Sequence, residues 1–426
     1  MDKKTKALLT FLDSAKSVYH AAAYLTKTLA DAGYTKLSEG EKWNLVPGGK
    51  YYLTRGGTAV LAFRIPNAAP KGFLMSASHC DRPTFKVKEN PELSGAYTRL
   101  SVEKYGGMLI APWLDRPLSV AGRVMVETED GIESRLVDID RDLLLIPNVA
   151  IHMNRSANDG YKWNPATDTL PLTGGKDAKG KFHKLLEKAA GGKVLGHDLY
   201  LYVRQKASVW GMDKEYISSA ALDDLQCAWG CTQGFLGAKD SESIPVLCVF
   251  DSEEVGSSSV QGAASRLLED TLSRICAALG LDEKILLANS FMVSADNAHA
   301  LHPNHPELAD PANAPVVNGG VVIKFNANLR YTTDGASAAV LRKICKAAGV
   351  PVQTYCNRAD IPGGSTLGNI SLSHVSVPSV DIGLAQLAMH SCYETAGVAD
   401  SIHLENAMTA YYGMTLEVKD GNFILK

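Results

Sequence analysis

The order of hydrophobic and polar positions divides the chain into three textures. Near the start, Leu8, Phe11, Leu12, Ala15, Val18, Ala22, Leu25 and Leu29 recur at helical spacing and predict one amphipathic helix. KYYLTRGGTAVLAFRI, with Gly-Gly at 56–57, then predicts a hairpin, and GFLMSASHC an apolar strand with a polar end. From Glu89 to about Ala221 the runs become short and alternating, as in RLSVEKYGGMLIAPW, LSVAGRVMVET and SRLVDID, broken by Gly, Pro and Asp. This predicts a β-rich module. Inside it, residues 154–193 are polar and Gly/Pro/Lys-rich, with one short helical pattern at KFHKLLEKA, which reads as a functional loop.

Beyond Ala221 strands and helices alternate. DDLQCAWGCTQGFLGA predicts a helix, SIPVLCVFD a buried strand, SSVQGAASRLLEDTLSRICAALG one or two helices, and SFMVSAD and GGVVIKFNA strands. GASAAVLRKICKAAG and the stretch from Ile402 to Val418 predict further helices, with VPVQTYCN as a strand between them. The fold class is α/β: a mixed, mostly parallel sheet flanked by helices, with an inserted β-rich domain. The expected division is residues 1–90 and 222–426 as one discontinuous domain and 91–221 as the insert.

Composition narrows the function classes. The chain has 426 residues, 46% hydrophobic and 21% charged, enough to bury a core. A net charge of -3, from 43 basic and 46 acidic residues, argues against nucleic acid and against an anionic membrane surface as partners. No apolar run approaches the ~18 residues that would span a bilayer. The basic N-terminus is not a signal peptide, because Asp13 and Lys16 interrupt its apolar stretch. The 8 Cys are scattered without a C-x-x-C pair, which points to buried thiols and a cytoplasmic location.

The candidate chemistry lies in five places, each at the polar end of an apolar strand or the start of a helix. They are Ser-His-Cys-Asp at 78–81, Leu-Asp-Asp at 222–224, Asp-Ser-Glu-Glu at 251–254, Ser-Ala-Asp at 294–296, and His390 after GLAQLAM. In an open α/β sheet, ligands collect outside the carboxyl ends of the strands, so these places converge. His, Asp, Glu, Asp and His without Cys suit zinc or a similar divalent ion. Five such ligands are too many for one open tetrahedral site and suit two metals sharing a carboxylate. Of the adjacent glutamates 253 and 254, one would bind metal and the other act as general base. Singly, each place has a plain reading: Asp-Asp before a helix is an N-cap, and paired Glu is a solvated face. Their coincidence carries the metal site. His299, His302 and His305 form an H-x-x-H-x-x-H run, but the His-Pro steps break the helix that would align it. H-E-x-x-H, G-x-S-x-G and the P-loop are all missing.

Most of the chain resembles the M18 aminopeptidases. The matching segments include SHCDRPTFKVK, YGGMLIAPWLDRPLSVAGRV, IPNVAIHMNR, FDSEEVGSSSVQGA, SADNAHALHPN, VIKFNANLRYTT, RADIPGGSTLG and LAMHSCYETAG. The resemblance implies a binuclear zinc exopeptidase whose inserted domain pairs subunits, and a homododecamer built from dimers. It implies His79, Asp223, Glu254, Asp296 and His390 as ligands of two Zn²⁺ per subunit, with Co²⁺ or Mn²⁺ tolerated, and Asp223 as the bridge. Glu253 would be the general base, and Asp81 would orient a ligand imidazole. His152 resembles a histidine that reaches a neighbouring subunit's site. Lys324 and Tyr331 match pocket residues of acidic-specific relatives, and His299 sits beside them. The implied substrates are peptides with a free N-terminus; Lys324 and, as a cation of this chain's own, Arg82 could each meet an acidic side chain there, which favours Asp or Glu, although relatives with neutral preference exist. The chain departs from frequent family residues at Cys80, Arg82, Asp224 and Ser252. An M42-type aminopeptidase, an amide deacylase and a non-catalytic assembly protein on the same fold are the rival readings.

Overall fold

A computed structural model describes residues 1–364 and 366–426. Its centre is a nine-stranded sheet. In chain order its strands are β1 (Thr35–Lys36), β2 (Lys50–Arg55), β3 (Ala59–Arg64), β4 (Gly72–His79), β5 (Ser243–Phe250), β6 (Phe291–Ala295), β7 (Val321–Phe325), β8 (Val352–Cys356) and β9 (Ser379–Gly383). Their spatial order is β1-β2-β3-β5-β4-β6-β9-β7-β8. Five of the eight pairings are parallel, which makes the sheet mixed but mostly parallel. Every residue of β4 and β5 is buried, as expected for strands covered on both faces.

One face packs against Lys3–Ser14, Val18–Asp31, Leu222–Gly237, Gly335–Ala347 and Val398–Tyr412, through Leu8, Phe11, Leu25, Phe235, Leu341 and Met408. The other face packs against Leu267–Leu279, through Leu268, Leu272 and Ile275. These are the α/β layers that the alternating pattern predicts.

Three local expectations change. The single N-terminal helix is two, because Ser17 is extended (φ -145°, ψ 168°). Arg82 donates to the carbonyls of Ala15 at 3.1 Å and Lys16 at 2.5 Å, holding the break open. The apolar spacing runs straight across this break, so both helices present one buried face. In SSVQGAASRLLEDTLSRICAALG only Leu267–Leu279 is helical. The C-terminal helix spans Val398–Tyr412, and the chain then turns into a hairpin of Leu416–Lys419 with Asn422–Leu425.

Between β4 and Leu222–Gly237, the strands Thr84–Leu93, Tyr97–Tyr105, Leu118–Thr128, Gly131–Asp138, Leu172–Gly175 and Val194–Val203 form a six-stranded antiparallel sheet. It has its own core around Phe85, Trp113, Val120, Leu186 and Leu201. Strands Ser208–Trp210 and Tyr216–Ser219 instead join a five-stranded sheet with Ala298–His299, Ala385–Leu387 and Glu394–Gly397. The chain leaves the central sheet at His79 and enters the six-stranded sheet at Thr84, so the junction of the two sheets lies at the candidate site.

Candidate metal centre

Four of the five candidate places come from the central sheet's carboxyl edge and its flanking helix. His79 is the last residue of β4, Glu253 and Glu254 follow β5, Asp296 follows β6, and Asp223 opens Leu222–Gly237. The fifth, His390, comes from the loop after Ala385–Leu387 of the five-stranded sheet. Ala221, Ser252 and His390 adopt left-handed φ values of 60°, 65° and 66°. Strain of this kind persists where surrounding structure fixes it, and here it flanks the site.

Asp223 is the hub. The Nε2 atom of His79 lies 3.5 Å from one of its carboxylate oxygens, and Nε2 of His390 lies 3.4 Å from the other. His390 Nε2 is also 3.3 Å from Glu254. Ligand atoms of His79, Asp223 and Glu254 gather within 4.8 Å of one another, and so do those of Asp223, Asp224 and Asp296. The two groups share Asp223. Asp223 Oδ1, Asp224 Oδ1 and Glu254 Oε1 are buried and have no hydrogen-bond partner among the described residues. Such acceptors are costly to bury unless something positive meets them. Acceptor oxygens and imidazole nitrogens without thiolates are also the donor set of a hard-to-borderline divalent ion, so these residues fit the metal centre expected from the sequence.

The electrostatics fit as well. Burial pushes Glu253 up to about 8, Asp296 to about 6 and Glu254 well above the carboxylate range, with neighbouring carboxylates adding to each shift. Burial works the same way on Asp223, but the nearby imidazoles of His390 and His79 outweigh it and hold that carboxyl below its usual value. Burial would lower His79, yet Asp223 and Asp81 raise it. A cluster of like charges around two imidazoles calls for compensating cations.

Support for the ligands is built from both sheets. Asp81 Oδ1 lies 3.2 Å from His79 Nδ1 and accepts the backbone N–H of Glu253 at 3.1 Å. Asp81 Oδ2 accepts the N–H of Glu254 at 3.1 Å and the hydroxyl of Tyr105 at 2.7 Å. Asp224 Oδ2 accepts the N–H of His79 at 3.1 Å. Glu394, which sequence reasoning missed, accepts the backbone N–H groups of Asp223 at 3.0 Å and His390 at 2.7 Å. Nothing in the string CYETAG marks Glu394 for this work; only the fold places it.

The two adjacent glutamates differ in their surroundings. Glu254 belongs to the His79–Asp223 group, while the Glu253 side chain is outside both ligand groups and makes no hydrogen bond among the described residues. Lys324, 2% exposed, donates to the carbonyls of Asp296 at 2.7 Å and Asn297 at 3.2 Å. Its ammonium stands 5.2 Å from the ring centre of Tyr331. Tyr355 links this corner to His299, whose ring lies 6.0 Å away and is exposed. His302 and His305 sit in exposed turns, 5.2 Å apart, and join neither ligand group. His152 lies in an exposed turn of the segment between the fourth and fifth strands of the six-stranded sheet, outside the cluster. Arg82 does not face the cluster as a substrate cation; its guanidinium points back to Ala15 and Lys16.

Residues 11–412 match the family described as aminopeptidase I zinc metalloprotease (M18). The chain belongs to the M18 aminopeptidases. It is 40% identical over 425 residues to a probable M18 family aminopeptidase 2 of Clostridium acetobutylicum, covering 96% of this chain and 98% of that one. The similarly described protein of Pseudomonas entomophila is 40% identical over 423 residues, covering 96% and 98%. Among solved structures, that of the Ape4 and Nbr1 complex superposes with a TM-score of 0.93 at 34% identity, over 96% of this chain and 85% of that one. The mApe1 dodecamer of S. cerevisiae superposes with a TM-score of 0.85 at 27% identity, over 96% of each chain. This M18 chain is therefore a metallo-aminopeptidase, with the mixed α/β fold of its relatives. Among its described residues no helix is long and apolar enough to cross a membrane.

Proposed function

We propose that this protein is a binuclear zinc aminopeptidase that removes the N-terminal residue from peptides, and that acidic N-terminal residues are preferred. The observation that carries the two-metal reading is the sharing of Asp223 between two ligand groups, with one of its oxygens buried and without a hydrogen-bond partner among the described residues. His79, Asp223, Glu254, Asp296 and His390 would hold the cations, and Co²⁺ or Mn²⁺ would be tolerated by the same donors. Divalent cations bound there would polarise the scissile carbonyl, lower the pKa of a water and draw the surrounding carboxylates to their charged forms.

The chain's own residues do the rest. Asp81 fixes the backbone of Glu253, leaving that carboxylate free to take the proton from the attacking water. Glu253 then delivers the proton to the leaving amine. Asp81 meets the imidazole of His79, the Gly107 carbonyl meets that of His390, and Glu394 holds the backbone of Asp223 and His390, so that the ligands keep their directions during the reaction. The acidic preference rests on Lys324. An ammonium has three donors, and two of them meet the carbonyls of Asp296 and Asn297. The third remains for a substrate carboxylate, and an apolar substrate would leave it unpaired.

The M18 fold carries two further parts of the proposal. The six-stranded sheet pairs subunits, dimers assemble into a dodecamer, and His152 reaches a neighbour's site. All eight cysteines are free thiols, which supports a reducing, cytoplasmic setting. The experiment is release of free amino acid from aspartyl, glutamyl and leucyl peptides, unblocked and N-acetylated, with metal analysis of the same sample. Turnover of unblocked peptides only, fastest for acidic ones, with two zinc per chain is expected. Cleavage of the acetylated forms would turn the reading to a deacylase.

A further inference from the structure

Both imidazoles of the centre are held by one short segment that does not belong to the central sheet. Tyr105 ends the second strand of the six-stranded sheet, and its backbone pairs with Thr84, five residues beyond His79. Its hydroxyl donates to Asp81 Oδ2 at 2.7 Å, and the other oxygen of that carboxylate is 3.2 Å from His79 Nδ1. Two residues on, the carbonyl of Gly107 lies 2.5 Å from His390 Nδ1. Two further on, the N–H of Leu109 donates to the carbonyl of His390 at 3.0 Å. Between them, Gly106 takes a left-handed φ of 75°, and a Cβ there would stand 3.1 Å from the Cβ of Glu254 and 3.4 Å from Cα of Pro83. Five consecutive residues thus meet the rear nitrogen of one histidine through Asp81, that of the other directly through a carbonyl, and Glu254 by close approach.

We propose that Tyr105, Gly106 and Gly107 are positioning residues for the metal centre, so that the inserted six-stranded sheet sets its metal affinity. The inference rests on the two-metal reading above. A metal-binding imidazole keeps its tautomer and direction through the partner of its other nitrogen. Here the partner of His390 is a backbone carbonyl of the inserted segment, and His79 Nδ1 stands 3.2 Å from both the backbone carbonyl and the carboxylate Oδ1 of Asp81, a residue that the same segment steadies. The central sheet supplies the ligands, and the insert fixes where they point. Gly106 is required for contact: any side chain would be strained at its φ and would press on Glu254.

The test is metal affinity, measured by competition with a chelator on the full-length protein, together with the visible absorption of the cobalt-loaded protein. Tyr105→Phe removes one hydrogen bond and little volume. It should weaken metal binding about tenfold, the lower end of the range for groups behind metal ligands, and alter the cobalt spectrum. The melting temperature of the metal-stripped protein should stay near wild type, which a merely structural role would not allow. Gly106→Ala should weaken binding further. Tyr200→Phe, a neighbouring phenol whose ring is 5.7 Å from that of Tyr105, should change neither readout. Wild-type affinity and spectrum in both Tyr105→Phe and Gly106→Ala would overturn the proposal. A wild-type protein that binds no cation would overturn the metal centre itself, a result separable from the first because it appears before any substitution.

Discussion

Lys324 donates to the backbone carbonyl of Asp296 at 2.7 Å, while the carboxylate of Asp296 stands 3.7 Å from the same ammonium. The lysine therefore holds a proposed ligand by its main chain and neutralises its carboxylate at longer range, with two hydrogen bonds among the described residues. Lys324→Met has nearly the same length but no charge. It leaves two carbonyls and a buried carboxylate without their partner, and stability should fall by about 3 kcal/mol. Activity should fall on every substrate, and the ratio of aspartyl to leucyl kcat/KM should drop a further tenfold or more. An unchanged ratio across an aminoacyl panel would make Lys324 part of the general machinery only.

Glu253→Gln tests the general base. Amide and carboxylate have nearly the same shape, and the Glu253 side chain lies outside both ligand groups. Turnover should fall by several orders of magnitude, because proton acceptor and proton donor vanish together, while two metals per chain remain. Activity within tenfold of wild type, at unchanged metal content, would remove Glu253 from that role.

Much of this centre is readable in the sequence, for a physical reason. His79 and Asp296 each stand where an apolar run turns polar, and a parallel sheet brings such ends together without further information. Asp223 and Asp224 stand where an N-cap is expected, so their position, though not their convergence on Asp296, is a local property. Glu394 is different. It acts through the main-chain N–H groups of Asp223 and His390, and backbone donors leave no residue type to recognise. Gly107 escapes for the same reason, since its carbonyl meets His390. Arg82 reads as a site cation from the sequence because its neighbours His79 and Asp81 face the site. Its own side chain turns back to Ala15 and Lys16, at a helix break that the unbroken apolar spacing conceals.

Metal removal should change how stability depends on pH. Burial raises Glu253 and Glu394 to about 8 and Asp296 to about 6, against ordinary values of 4.5, 4.5 and 3.8. Between those ordinary values and the raised ones, the folded chain keeps protons that the unfolded chain has lost. Stability of the stripped protein must then fall as pH rises through this window. Bound cations favour the charged carboxylates and oppose that loss. Thermal melts from pH 5 to 8 should decline for the chelated protein and be flatter with zinc. Parallel curves for the two forms would contradict cations at these carboxylates.

Asp223→Ala tests the bridge. Both ligand groups contain this residue, so both should lose affinity together. Metal analysis should find well under one ion per chain at a zinc concentration that saturates the wild type. Two tightly held ions in the variant would exclude a bridging Asp223.

The subunit-sharing proposal can be tested without a structure of the assembly. His152 is exposed in the single chain, and the apolar side chains around it, Val149, Ile151 and Met153, are 52%, 48% and 83% exposed. Such a run suits burial against a second copy. If His152 serves the neighbour's centre, His152→Ala and Glu253→Gln subunits should each be inactive alone yet complement each other when co-expressed. In a two-fold pair, a mixed dimer holds one complete site, built from the intact Glu253 of one subunit and the intact His152 of the other. Random mixing makes half the dimers mixed, so about a quarter of wild-type activity should return. If His152 acted within its own chain, every site in the mixture would lack one of the two residues and no activity would return. Light scattering on the same samples must show assembled species, and a monomer at micromolar concentration would defeat the shared site outright.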